Sequence, residues 1–142
     1  MEDKDKTRVL FVCVHNSARS QMAEALLNQI AGDRYIAQSA GLEPGTLNPL
    51  AVEVMHENGI DISQNKTKDV FDFFKKGILF HYVVTVCDGA QAERCPIFPG
   101  VTQRVHCSFP DPSTLTGSRA EQLEKTREIR DQIKDWLEQW IK

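Results

Sequence analysis

Cys13 and Arg19 have five residues between them, and Ser20 follows directly. A thiol, a guanidinium and a hydroxyl at that spacing suit nucleophilic attack on a tetrahedral oxyanion: the sulfur attacks, the planar fork of Arg19 holds two oxygens, and the hydroxyl steadies the thiolate. The flanking residues say where such a loop must sit. Val9 to Val12 is a β-branched and aromatic run that reads as a buried strand, and Met22, Ala23, Leu26 and Leu27 recur at helical spacing. The loop Cys13, Val14, His15, Asn16, Ser17, Ala18, Arg19 is therefore expected at the carboxyl end of a strand, with the free N–H groups of a helix entered at Ser20 pointing into it. That geometry binds anions. A cysteine ending a buried strand is by default a small hydrophobe; its company of Arg19, Ser20 and a helix start is what argues for a nucleophile. His15 and Asn16 have a second reading, because a polar loop can use either to satisfy backbone groups. Asn16 is read as scaffolding.

Other elements must hold this loop and bring further chemistry to it. Arg34 to Ala40 reads as a second strand after a helix closed by Gly32, and Asn48-Pro49 opens a helix that carries Leu50, Val54 and Met55 to Gly59. Thr67 is expected to cap a short helix through Val70, Phe73 and Phe74. His81 to Val86 is a strong strand signal that delivers Cys87 to its carboxyl end, as the first strand delivers Cys13. The polar segment after it, DGAQAERCPIFPG, reads as mobile and carries Cys95. Val101 to Cys107 is expected as a fourth strand, with Cys107 buried on it, and Phe109-Pro110-Asp111-Pro112 as a rigid turn that places Asp111 on the same side as the two strand-end cysteines. Ser118 to Glu121 is a capping box, and Leu123, Ile129, Ile133, Leu137 and Trp140 line one face of a long amphipathic cover helix. Strands alternating with helices predict a four-stranded parallel sheet with right-handed crossovers and helices on both faces, and sites in such sheets gather outside the strands' carboxyl ends.

Composition bounds the function. The 142 residues fit one domain with a single core, residues 1–7 are expected as a charged flexible tail rather than an export signal, and no apolar run approaches the ~20 residues a bilayer demands. A cytoplasmic monomer is the expectation. A net charge of −3 provides no global basic field for nucleic acid or a membrane surface, so any anion site is local. Four cysteines without an export signal point to catalysis, redox exchange or metal rather than a static disulfide framework, and seven and eleven intervening residues between Cys87, Cys95 and Cys107 are poor zinc spacings.

The run Cys13 to Ser20, CVHNSARS, resembles the C-x5-R-S phosphate-binding loop of the low-molecular-weight protein tyrosine phosphatase fold, and Gln21-Met22-Ala23-Glu24 resembles its thioredoxin-coupled arsenate reductase branch. The resemblance extends over essentially the whole chain. It implies a three-layer α/β/α sandwich, a covalent intermediate on Cys13, no tightly bound cofactor, and an external thiol reductant, either a low-molecular-weight thiol or thioredoxin, of which the two further cysteines Cys87 and Cys95 favour thioredoxin. It also implies arsenate as substrate with phosphate or sulfate competing, and a potassium ion near Asn16, Glu24, Ser39 and Asp69. Two positions depart from many members of the fold: Ala18 stands where a second loop cysteine is common, which rules out a disulfide within the loop, and His15 replaces a common glycine.

Three readings then compete for one loop: an arsenate reductase, a phosphotyrosine phosphatase, and a non-catalytic oxyanion-binding or thiol-sensing module. Hydrolysis needs Cys13, Arg19 and a carboxyl that protonates the leaving oxygen, for which Asp111 is the candidate. In the phosphatase branch tyrosines follow the aspartate-proline pair, whereas Ser113 and Thr114 follow it here. Reduction needs a second thiol to attack Cys13 sulfur as arsenite leaves, and a third to carry the buried disulfide outward. Cys87 and Cys95 fit those roles, and a phosphatase has no use for them. The reductase is the preferred reading, with a weak phosphatase side activity.

Overall fold

The computed structural model describes residues 5–100 and 102–142. Four strands, β1 (Thr7–Cys13), β2 (Tyr35–Gly41), β3 (Tyr82–Thr85) and β4 (Gln103–His106), form one parallel sheet in the order β2-β1-β3-β4. β1 lies inside the sheet and is apolar on both faces: Val9, Phe11 and Cys13 join one buried cluster, while Leu10 and Val12 join the other. Alternation of this kind is what a central parallel strand demands.

The larger cluster is closed by α1 (Arg19–Ala31), α2 (Pro49–Glu57) and α5 (Arg119–Trp140), through Met22, Leu26, Ala51, Val54, Ile129, Ile133 and Leu137. The opposite face is covered by α3 (Val70–Lys75) and by Phe80, Cys95 and Phe98; the two rings meet edge to face at 5.6 Å, with Phe74 adding a further edge contact at 5.7 Å to Phe98. These are the three layers expected. Asn48 caps α2 through Leu50 N–H at 2.8 Å ahead of Pro49, and Ser118 and Glu121 form a reciprocal capping box at the start of α5.

Several elements differ from the sequence expectation. Thr7 pairs with Tyr35 in β1 instead of belonging to a tail, while residues 1–4 and Val101 lie outside the described residues. α3 is capped by Asp69, whose carboxylate accepts from Phe71 N–H at 2.8 Å; Thr67 instead donates its hydroxyl to Gly45 O at 2.7 Å. The segment after β3 contains a short helix, α4 (Gly89–Ala92), capped by Asp88, and Cys95 is buried at 4% exposure in the second cluster. Cys107 lies one residue past β4 and is half-buried. Among the described residues no helix is long and apolar enough to cross a membrane.

α5 is fastened to α2 by charge. Arg127 grips Glu57 with two bonds of 2.7 and 2.8 Å, and the buried Arg130 bonds both Glu57 at 3.0 Å and Val54 O at 2.7 Å. The Arg127 bonds lead in holding the Glu57 pKa down at about 2, against burial. A depressed carboxylate stabilises the fold above its unfolded value of about 4.3 and loses that contribution as pH falls toward the folded one. Glu57→Gln should therefore lower the melting temperature at pH 7, with the gap to wild type narrowing as pH drops from about 5 to about 2.5. An equal gap across that range, measured by thermal circular dichroism, would remove the ionic account.

Candidate active site

The order β2-β1-β3-β4 reverses direction between β1 and β3, so the carboxyl ends of these two strands open a crevice where Cys13 and Cys87 emerge side by side. Val86 N–H donates to Val12 O at 2.9 Å, which fixes the two strand ends against each other. Cys13 is buried at 2% exposure and Cys87 at 0%.

The loop after β1 wraps around the Cys13 sulfur. Asn16 takes a left-handed backbone (φ 55°) and turns its N–H to Sγ at 3.2 Å. Ser20 Oγ stands 2.8 Å from the same sulfur and accepts from Asn16 Nδ2 at 2.7 Å, which leaves its own hydrogen to aim at Sγ. Two donors thus face the sulfur. Asn16 Oδ1 accepts from Lys68 N–H at 2.9 Å, a group that can only donate, and from Gln21 Nε2 at 3.0 Å. Asn16 is fully buried as the hub of the loop. The first turn of α1 has no side-chain cap at Ala18, so its amides face the loop and are open to an oxyanion.

The second strand presses the loop from beneath. A Cβ on Gly41 would stand 2.8 Å from both Asn16 N and Val14 O, so only glycine lets β2 end this close. Val14 O accepts from Glu43 N–H at 2.7 Å, His15 O from Gly45 N–H at 3.0 Å and Ser17 O from Asn48 N–H at 2.9 Å. His15, the departure from glycine, donates Nδ1–H to Glu43 O at 2.8 Å and so straps the loop to residues 43–45.

Arg19 is 7% exposed, donates to Phe109 O at 3.3 Å and places Nη2 3.4 Å from Asp111 Oδ2. The other Asp111 oxygen accepts from Ser113 N–H at 2.9 Å and Ser113 Oγ at 2.8 Å, so the turn holds one oxygen and presents the other to Arg19. Beside this turn lies a cavity of about 470 Å³ lined by Ser17, Leu47, Asn48, Pro112, Ser113 and Leu115 among others, with no aromatic ring in its wall.

Burial raises three of the four thiols. Burial pushes Cys87 up from the ordinary cysteine value, the negative charge of Cys13 adds to this, and Arg19 opposes it. Burial pushes Cys95 up to about 11, with Arg104 opposing and Cys87 adding a smaller rise. Cys107 is raised by burial alone. Cys95 belongs to the core cluster on the opposite side of the sheet from Cys13 and Cys87.

The four residues expected around potassium do not assemble a cage for it. Glu24 Oε1 accepts from Ser39 Oγ at 3.0 Å and from Lys68 Nζ at 3.1 Å, Asn16 Oδ1 serves Lys68 and Gln21, and Asp69 caps α3. The positive charge at Glu24 is the ammonium of Lys68. Sequence reasoning missed Lys68 and the wholly buried Gln21, which ties Asn16 to Asn65 and to Lys66 O. A glutamine on the helix face shared with apolar positions was the available signal for Gln21; Lys68, forty-four residues from Glu24 along the chain, gave none.

Residues 8–142 match the model of a family described as low molecular weight phosphotyrosine protein phosphatase. An arsenate reductase of Bacillus subtilis (strain 168) is 41% identical over 134 residues, covering 93% of each chain. Among solved structures, an arsenate reductase in oxidized state superposes with a TM-score of 0.75 at 27% identity over 94% of this chain and 95% of that one. A thioredoxin-dependent arsenate reductase of Corynebacterium glutamicum does so with 0.64 at 28% identity over 94% of this chain and 62% of that one.

Proposed function

Because this chain belongs to the low molecular weight phosphotyrosine protein phosphatase family, with arsenate reductases among its relatives over nearly their full length, we propose that it reduces arsenate to arsenite through Cys13, Cys87 and Cys95. Cys13 thiolate attacks arsenic while Asp111 protonates the departing oxygen, which leaves as water, and Arg19 with the α1 amides holds the remaining oxygens. Cys87 then attacks Cys13 sulfur. The Cys13–Cys87 bond forms, the sulfur–arsenic bond breaks, and its electron pair stays on arsenic, which leaves as arsenite. Cys95 next attacks Cys87, releasing Cys13 as thiolate and moving the disulfide to the Cys87–Cys95 pair, which an external thiol reductant of the thioredoxin kind reopens. The enzyme works as a cytoplasmic monomer, with phosphate and sulfate as competing oxyanions.

The observation that supports this reading best is spatial: Cys13 and Cys87 emerge side by side at adjoining strand ends, the first of them in an oxyanion loop, and Cys95 lies on the segment that follows. A phosphatase would leave the second and third thiols unemployed. The deciding experiment is a single turnover without added reductant. About one equivalent of arsenite per enzyme, followed by a mapped Cys87–Cys95 disulfide, is expected; phosphate release from aryl phosphates with no arsenite would give the site to hydrolysis instead.

Asp111 carries its own prediction. Asp111→Asn should slow the covalent step by about 10²-fold, within the range for a lost general acid. That step is followed as the burst from an aryl phosphate, and unchanged burst and steady-state rates would make Asp111 a turn residue only.

A further inference from the structure

Arg104 points from β4 to the same side of the sheet as Val83, its register partner, and hence toward the cluster that contains Cys95. Its Nη2 donates to Ala92 O at 3.2 Å, the carbonyl that also accepts from Cys95 N–H at 3.1 Å. One acceptor therefore joins the guanidinium, the last residue of α4 and the backbone of the third thiol. Cys95 otherwise belongs to an apolar cluster with Leu10 and Val12 of β1, Val70 of α3, Phe80, Val83 and Phe98, and Pro96 O receives its thiol at 3.6 Å. Cys87, at the end of β3, is the other titratable group acting on it. Arg94 is turned away to Glu43 at 2.8 Å and Gln91 at 2.7 Å, and Glu93 is exposed on the rim of a cavity of about 390 Å³ shared with Arg104.

We propose that Arg104 is the positioning residue of the Cys95 thiol, fixing the end of α4 from the neighbouring strand and setting a positive charge beside the resting thiol from which the attacking thiolate forms before the segment opens. This rests on the three-thiol reading above. In the step concerned, Cys95 gives its proton to solvent and attacks Cys87 sulfur; the Cys87–Cys95 bond forms, the Cys13–Cys87 bond breaks, and the electron pair leaves on Cys13. A buried thiol cannot attack while protonated, and Arg104 is the charge in its surroundings that lowers the cost of losing that proton.

Two substitutions separate charge from scaffolding. Arg104→Gln keeps a donor for Ala92 O without the charge, and Arg104→Lys keeps both. The conversion of Cys13–Cys87 to Cys87–Cys95 is timed by acid quench and disulfide mapping from pH 6 to 9. Arsenite release should match wild type in both variants. The exchange in Arg104→Gln should be slower by about three- to tenfold across this range, because the guanidinium is partly in solvent and its field is screened, and because a thiol held at about 11 stays mostly protonated up to pH 9 in both proteins. Arg104→Lys should stay within about twofold of wild type throughout. Equal rates and profiles in wild type and Arg104→Gln would overturn the proposal alone, as would a slowing in both variants by one factor at every pH. A wild-type enzyme that forms no Cys87–Cys95 disulfide would overturn the relay and the proposal together.

Discussion

Cys13→Ser should abolish arsenate reduction and any aryl phosphatase activity. The side chain is 2% exposed and the replacement nearly isosteric, so the fold should persist, with loop and α1 intact by circular dichroism. What goes is the sulfur that receives Asn16 N–H and the Ser20 hydroxyl, and an alcohol in its place has neither an accessible anion at neutral pH nor the ability to form a disulfide. Arg19→Lys isolates the second half of the site. An ammonium cannot span two oxygens of a tetrahedral oxyanion while also meeting Phe109 O and Asp111, so activity should fall by about 10²- to 10³-fold although the charge is kept. Turnover near wild type in Cys13→Ser would remove the assignment of the nucleophile, and a normal rate in Arg19→Lys would reduce Arg19 to an anchor for the 109–111 turn.

The loop that these substitutions attack was legible because its signals are local. A β-branched run, a polar loop and a helical repeat are contiguous, and each constrains the next. The sheet was equally legible, since alternating strands and helices leave few topologies, and strands delivering Cys13 and Cys87 to one end follow from parallel pairing. Cys95 was not. Its neighbours Asp88, Gln91, Glu93 and Arg94 are polar, and the segment reads as mobile, but Phe98 packs edge to face against Phe74 and Phe80 and draws the thiol into a core assembled from residues far back along the chain. The cap of α3 failed for a smaller reason of the same kind. Thr67 and Asp69 are both capping residues, and the choice was made by a bond from Thr67 to Gly45, twenty-two residues upstream. Lys68 at Glu24 likewise exists only through tertiary contact, and it places a fixed ammonium where the resemblance implied an exchangeable ion.

The burial of Cys95 sharpens what its substitution should do. Cys95→Ser should release about one equivalent of arsenite per enzyme and then stop, trapped as the Cys13–Cys87 disulfide, whereas Cys87→Ser should fail at arsenite release because nothing attacks the Cys13 sulfur. The two variants thus halt on opposite sides of the arsenic chemistry. Wild type proceeds further only by moving Cys95 out of the second cluster, since a disulfide requires Cα atoms within about 7 Å and the thiol begins behind the sheet from Cys13. The segment is built to yield: α4 has four residues, held by the Asp88 cap and few backbone bonds, so unwinding it breaks little. The resisting parts are the ring contacts of Phe98 and the bond from Arg104 to Ala92 O. In the oxidised enzyme, amide hydrogen exchange should rise across residues 88–100 while β1 and α1 stay protected. Unchanged exchange over that span in an enzyme with a mapped Cys87–Cys95 bond would show the bridge forming without the opening this burial demands. Full multiple-turnover arsenate reduction by the Cys87→Ser, Cys95→Ser double variant would sink the relay altogether, while aryl phosphatase activity should survive in it, because hydrolysis asks only for Cys13, Arg19 and Asp111.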